Sequence, residues 1–234
     1  MTHSATWDMA IGLTDVALYN LKSKTAKPEA ENELHIDHTE VMQMASADPF
    51  WAARGQAIQA YAGLERALCR IFIQMGDMRP EVAGLIFYKI TNANARNSMV
   101  EKLIRQKYGN TYNLFWNSFI QQLTPLDHRR NQIVHWNALV HVIRDAEGFL
   151  CVGVALEHPF TKGEATNQKL LLKNLIEFAR QCDAFKILAM MFMTMKRGEF
   201  DAEEAKSWPA VYSKPIVYPL PPDHPLLKMR PDLA

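Results

Sequence analysis

The run Arg129-Arg130-Asn131-Gln132-Ile133-Val134-His135-Trp136 sets an arginine, the asparagine after it and a histidine five positions on among apolar residues. A guanidinium stays charged at any physiological pH and forks toward phosphate oxygens, while an imidazole titrates near neutrality and can accept or donate a proton. Together they suit binding or cleavage of a phosphodiester. Arg130 and His135 are therefore the candidate catalytic pair. Asn131 lies one helical turn before His135, where it can hydrogen-bond the imidazole and fix its tautomer. Arg129 is a second candidate phosphate contact. On an ideal helix, at ~100° per residue, positions 130 and 135 are offset by roughly 140°. The two side chains act together only if the helix end is distorted, if the long arginine reaches around, or if the partner residue comes from a second subunit.

The elements that must carry these residues are mostly helical. Asp48-Pro49 gives a helix start, and Trp51, Ile58, Tyr61, Leu64, Leu68, Ile71 and Phe72 recur at helical spacing to about residue 75. Arg79-Pro80-Glu81 restarts a helical segment, and the asparagines of Thr91-Asn92-Ala93-Asn94 weaken it. Two joined helices, or one bent helix, are expected up to Tyr108-Gly109. A further helix begins near Thr111. At Thr124-Pro125-Leu126-Asp127 a second start signal makes the segment with Arg130 a kinked continuation or a fresh helix.

The period then changes. Leu139–Ile143 and Phe149–Val154 are β-rich runs flanking Arg144-Asp145-Ala146-Glu147-Gly148, which predicts a hairpin. Helical spacing returns from Leu170 to Met195. Residues 1–46 read as an N-terminal extension, partly loop, and 47–200 as the helical domain. Residues 201–234, with seven of the chain's 12 prolines after Ser207, read as an extended proline-rich arm. The fold class expected is mainly α, a helical bundle with a β-hairpin between its last two long helices.

Composition narrows the function. The 234 residues carry a formal net charge of +1, so a nucleic-acid contact must be a local patch rather than a global field. Cys69, Cys151 and Cys182 have neither a disulfide nor a zinc-ligand spacing. The start lacks the basic and apolar regions of a secretory signal, and a reducing cytoplasm is the expected location. The longest apolar run, Ile187–Met193, falls short of the roughly 20 residues of a membrane span. No Gly-rich phosphate loop, G-x-S-x-G elbow or H-E-x-x-H occurs, which argues against the common nucleotide hydrolases, esterases and zinc proteases. His35, Asp37 and His38 have metal-ligand types but no fourth ligand or helix to fix them, and a solvated loop is the expectation.

An arginine, a polar residue, three variable residues and a histidine near the end of a core helix resembles the HEPN superfamily of α-helical bundles, with Arg130, Asn131 and His135 at the motif positions. The hairpin directly behind His135 also resembles what branches of that family carry. Outside the motif the likeness, over about residues 49–197, is architectural. The resemblance implies a HEPN-like bundle and a metal-independent endoribonuclease without a cofactor, working as a homodimer in a toxin-antitoxin, defence or stress-response setting. RNA is the implied partner, with an antitoxin or regulatory protein possible and no membrane. In the implied mechanism His135 assists attack of the RNA 2′-hydroxyl on the neighbouring phosphate, and Arg130 holds the phosphorane-like charge.

Two other readings compete. In one, the same surface is a non-catalytic module that binds a nucleotide, RNA or another protein. In the other, Arg130 pairs with a carboxylate such as Asp127 and His135 caps carbonyls at the helix end. Arg96-Asn97 imitates the motif start, but Glu101 stands in the histidine slot, so Arg96 reads as a packing or ion-pair arginine.

Overall fold

A computed structural model describes residues 49–144, 150–158 and 169–233. The first long helix, α1, spans Pro49–Gly76. Ala53, Ala57, Ala60, Leu64, Ala67, Leu68, Ile71 and Phe72 are buried along it, the three- and four-residue spacing that gives a helix one apolar stripe. The next helical stretch divides into α2, Pro80–Lys89, and α3, Ala93–Tyr108. Asn92 makes the break, its side chain accepting from the backbone N–H of Ala95 as an N-cap.

The following helix, α4, runs unbroken over Asn113–His135 with Pro125 inside it, so the internal start signal at Thr124 opens no new helix. Strands β1, Asn137–Arg144, and β2, Leu150–Glu157, pair antiparallel from Asn137 opposite Glu157 to Arg144 opposite Leu150. Of the expected turn Arg144–Gly148, Arg144 belongs to β1; residues 145–148 lie outside the described residues, as do the N-terminal extension, 1–46, and its His35-Asp37-His38 cluster. A short third strand, β3, Lys169–Leu170, adds to β2 and was not foreseen. Helix α5, Leu172–Arg197, completes the bundle. The chain is thus mainly helical, with a small antiparallel sheet between its last two long helices.

Contacts fix the helix directions. Arg54 reaches the end of α4 and Tyr61 reaches Asp127, so α1 and α4 are antiparallel. Tyr112 meets Lys196 while Phe119 meets Phe185, so α4 and α5 are antiparallel as well, and α1 runs parallel to α5. Phe115, Trp116, Phe119, Phe185 and Phe192 fill the space between α4 and α5, mostly edge to face, the geometry that ring quadrupoles favour.

Residues 201–234 are not an extended arm. They form α6, Glu204–Tyr212, α7, Pro225–Met229, and a final 3-10 turn, Pro231–Leu233. Trp208, Tyr212, Ile216, Leu220, Leu226 and Leu233 are buried against the bundle. The Tyr212 hydroxyl donates to the Leu188 carbonyl at 2.8 Å, and the Ile216 N–H donates to Ser118 Oγ at 2.8 Å. Proline content misled because Pro209 and Pro225 sit in helices and the large apolar residues between the prolines decide where the segment goes.

His224 caps α7, its Nδ1 accepting from the Leu226 N–H at 3.1 Å, and burial lowers its pKa from the ordinary 6.5. A depressed imidazole contributes stability that is whole above the unfolded pKa and is lost as pH falls through the folded value. Thermal unfolding scans should therefore show stability declining below about pH 6.5. The variant His224→Asn, which keeps an acceptor for the cap but has no imidazole to titrate, should flatten that decline. An unchanged pH profile would contradict the assignment.

Candidate functional site

The end of α4 carries Arg129, Arg130, Asn131 and His135. Leu123, Leu126 and Ile133 turn inward and are buried, which leaves Arg129 and Arg130 partly exposed and Asn131 and His135 exposed. The helix stops at His135 because Trp136 takes an extended backbone, φ −78° and ψ 145°, and leads into β1.

Helix ends strand carbonyls, and here Arg54 of α1 meets them. Its Nε donates to the Ile133 carbonyl at 3.0 Å, and Nη2 donates to those of Val134 and Trp136 at 3.2 Å each. The guanidinium also lies over the Trp51 ring, 5.7 Å from its centroid, an indole that is 38% exposed. Arg54→Ala should leave these acceptors wanting and cost about 1–3 kcal/mol in urea unfolding, with faster amide exchange at the end of α4. Exchange and stability equal to the parent would show that the cap is dispensable.

Beneath Arg130 lies a buried polar network. Its guanidinium stands over the Tyr61 ring, 5.7 Å from the centroid. The Tyr61 hydroxyl donates to Asp127 Oδ1 in a close contact, and Asn97 Nδ2 donates to Asp127 Oδ2 at 3.3 Å. Arg96, 8% exposed, pairs with Glu65 and covers the Phe87 ring, as the sequence reading of that arginine expects. Burial raises the Asp127 pKa, although Tyr61, Arg96, His128 and Arg130 all act to lower it. Burial and the Asp127 neighbour hold the Tyr61 hydroxyl well above its usual range. Tyr61 is thus a neutral donor with a ring surface for Arg130.

Neither direct contact of the structural alternative is formed among the described residues. Asp127 is occupied by Tyr61 and Asn97, and among the described residues Arg130 forms no ion pair. The carbonyls that His135 would cap are taken by Arg54.

Asn131 has a different partner from the one expected. Its Oδ1 accepts from Arg130 Nη1 at 3.1 Å, so the asparagine orients the arginine and not the imidazole. The long guanidinium folds back over its neighbour, which a helical-turn argument does not foresee. His135 and Arg129 make no side-chain hydrogen bond among the described residues. Because α4 is helical to His135, distortion does not remove the roughly 140° offset. Within one chain Arg130 bonds Asn131, and among the described residues no hydrogen bond joins either to His135.

Arg54, Tyr61, Asn97 and Asp127 complete the neighbourhood. Asp127 was legible as a carboxylate near Arg130 and Asn97 only as part of the Arg96-Asn97 pair that imitates the motif start, while Arg54 and Tyr61 lie on a distant segment with no motif to mark them. Trp136 adds an edge-on contact with the His158 ring, centroids 5.9 Å apart. Among the described residues no group of three or more His, Cys, Asp or Glu is placed to hold a metal, and no helix is long and apolar enough to cross a membrane. No protein family, curated protein or solved structure matches the chain.

Proposed function

We propose that the end of α4 is an RNA-cleaving site of HEPN type, completed between two copies of the chain. What supports the reading is that neither residue is tied into an ion pair or a helix cap among the described residues. Arg54 caps the helix, Asp127 is held by Tyr61 and Asn97, and Arg130 and His135 are left at the surface. A guanidinium resting on the Tyr61 ring without a carboxylate partner, and an exposed imidazole without a hydrogen bond among the described residues, are both open to a phosphate ligand.

In this reading His135 takes the proton of the RNA 2′-hydroxyl, O2′ attacks phosphorus, and the bond from phosphorus to O5′ breaks. The leaving O5′ receives a proton from water, and the products carry a 2′,3′-cyclic phosphate and a 5′-hydroxyl. Arg130 offsets the charge that builds on the phosphoryl oxygens. Asn131 and the Tyr61 ring hold that guanidinium in place, and Arg129 contacts a neighbouring phosphate. The offset between Arg130 and His135 gives a reason for two copies, since one chain presents each half and a twofold pairing supplies the other. The same offset favours a second reading, in which Arg130 binds RNA without chemistry.

The experiment is incubation of purified protein with single-stranded RNA in excess chelator, with the product ends analysed. Cleavage leaving cyclic phosphate ends supports the first reading. Binding without cleavage selects the second, and neither binding nor cleavage contradicts both.

A further inference from the structure

On the face of α1 turned away from Arg54, a groove of about 620 Å³ runs between α1 and α5. Gly63 lies nine residues from Arg54, roughly 180° around the helix, so this groove is separate from the end of α4. From Gln56 to Arg70 it extends about 21 Å along α1 at 1.5 Å per residue, and its volume is that of a small-molecule site. We propose that it binds a ligand carrying adjacent phosphate groups, with neutral hydrogen-bonding groups behind them.

The chemistry is divided along the groove. Because α1 and α5 are parallel, Arg66 and Arg70 share one end with Lys186 and Met190, while Gln56 and Gln59 share the other with Ala179 and Asp183. Arg66 and Arg70 are exposed, one helical turn apart, and carry no ion pair or side-chain hydrogen bond among the described residues. Two guanidinium forks at that spacing suit successive phosphates. The Lys186 stem lies close over Gly63, where a Cβ would stand 3.2 Å from its Cδ, so glycine here lets the lysine reach across the groove. Lys186 holds the Asp183 carboxylate, which is one turn nearer the glutamine end. Ala60, Gly63 and Ala67 give the floor little height, leaving room for a flat body beside Gln56 and Gln59. In a chain of net charge +1, the two arginines without ion pairs are a local patch.

The test is calorimetric titration of the full chain with sodium pyrophosphate, ADP and a single-stranded uridylate hexamer, in an Arg130→Ala background that silences the end of α4, with and without R66E/R70E. Both groove arginines are exposed, so the double variant should keep the melting curve of its background. The expected result is binding by at least one of the three probes, weakened roughly tenfold or more by R66E/R70E. ADP without the hexamer identifies a free ligand, and the hexamer without ADP identifies an RNA strand. The proposal is overturned if no probe binds, if R66E/R70E leaves binding unchanged, or if a hexaglutamate peptide competes equally.

Discussion

A chain ending at Phe200 is expected to lose its cooperative fold. The missing segment carries Trp208 at 1% exposure, Tyr212 at 0% and Leu226 at 0%, together with Ile216, Leu220 and Leu233. Truncating one buried aromatic of this size costs about 3–5 kcal/mol, and a whole domain is stable by about 5–15 kcal/mol. Removing these six residues, two of them aromatic, also bares the Phe115 and Phe192 rings and leaves the Leu188 carbonyl without its Tyr212 partner. Thermal melts followed by circular dichroism should show no sharp transition in the truncated chain. The graded variant Trp208→Ala should fold but be weaker by about 3–5 kcal/mol. A truncated chain melting near the parent would show that the tail is an appendage after all.

The second large effect belongs to the proposed site. Arg130→Ala and His135→Ala should each lower RNA cleavage by about 10²-fold or more, the usual worth of a positioned acid-base or charge-stabilising group. Neither should unfold the protein, because neither side chain caps a helix or forms an ion pair among the described residues, and the Arg130 contact with the Tyr61 ring is worth only about 0.5–1 kcal/mol. Tyr61→Phe offers a contrast. It keeps the ring under Arg130 but removes the hydroxyl from Asp127, so it should lower stability more than cleavage, by about 1 kcal/mol or somewhat more.

The parts of the fold legible in the sequence were those set by local periodicity. Helix α1 was readable from its apolar stripe, the hairpin from two β-branched runs about a charged turn, and the break before α3 from the asparagines that cap it. Helix α4 was harder, because Thr124-Pro125 carries the marks of a start, yet Leu123 and Leu126 on either side are buried and tertiary packing keeps the helix whole. The tail was misread because proline content speaks of backbone propensity and is silent on the burial of Trp208 and Tyr212. At the site, residue types gave Arg130, Asn131 and His135, but the groups that position them come from across the bundle. Arg54 is 79 residues from its Ile133 acceptor and Tyr61 is 66 from Asp127, separations that no spacing rule spans. The partner of Asn131 was missed because an arginine long enough to fold back can meet its own neighbour.

Mixing the two inactive variants tests the account most directly. If each site takes Arg130 from one copy and His135 from the other, an Arg130→Ala and a His135→Ala chain together rebuild one complete site in every mixed pair. After denaturation and joint refolding at equal amounts, half the pairs are mixed, and RNA cleavage should return to about a quarter of the parent level. Recovery near that level is the expected result. A mixture as inactive as either variant alone, with the parent active under the same conditions, would contradict a site shared between two chains.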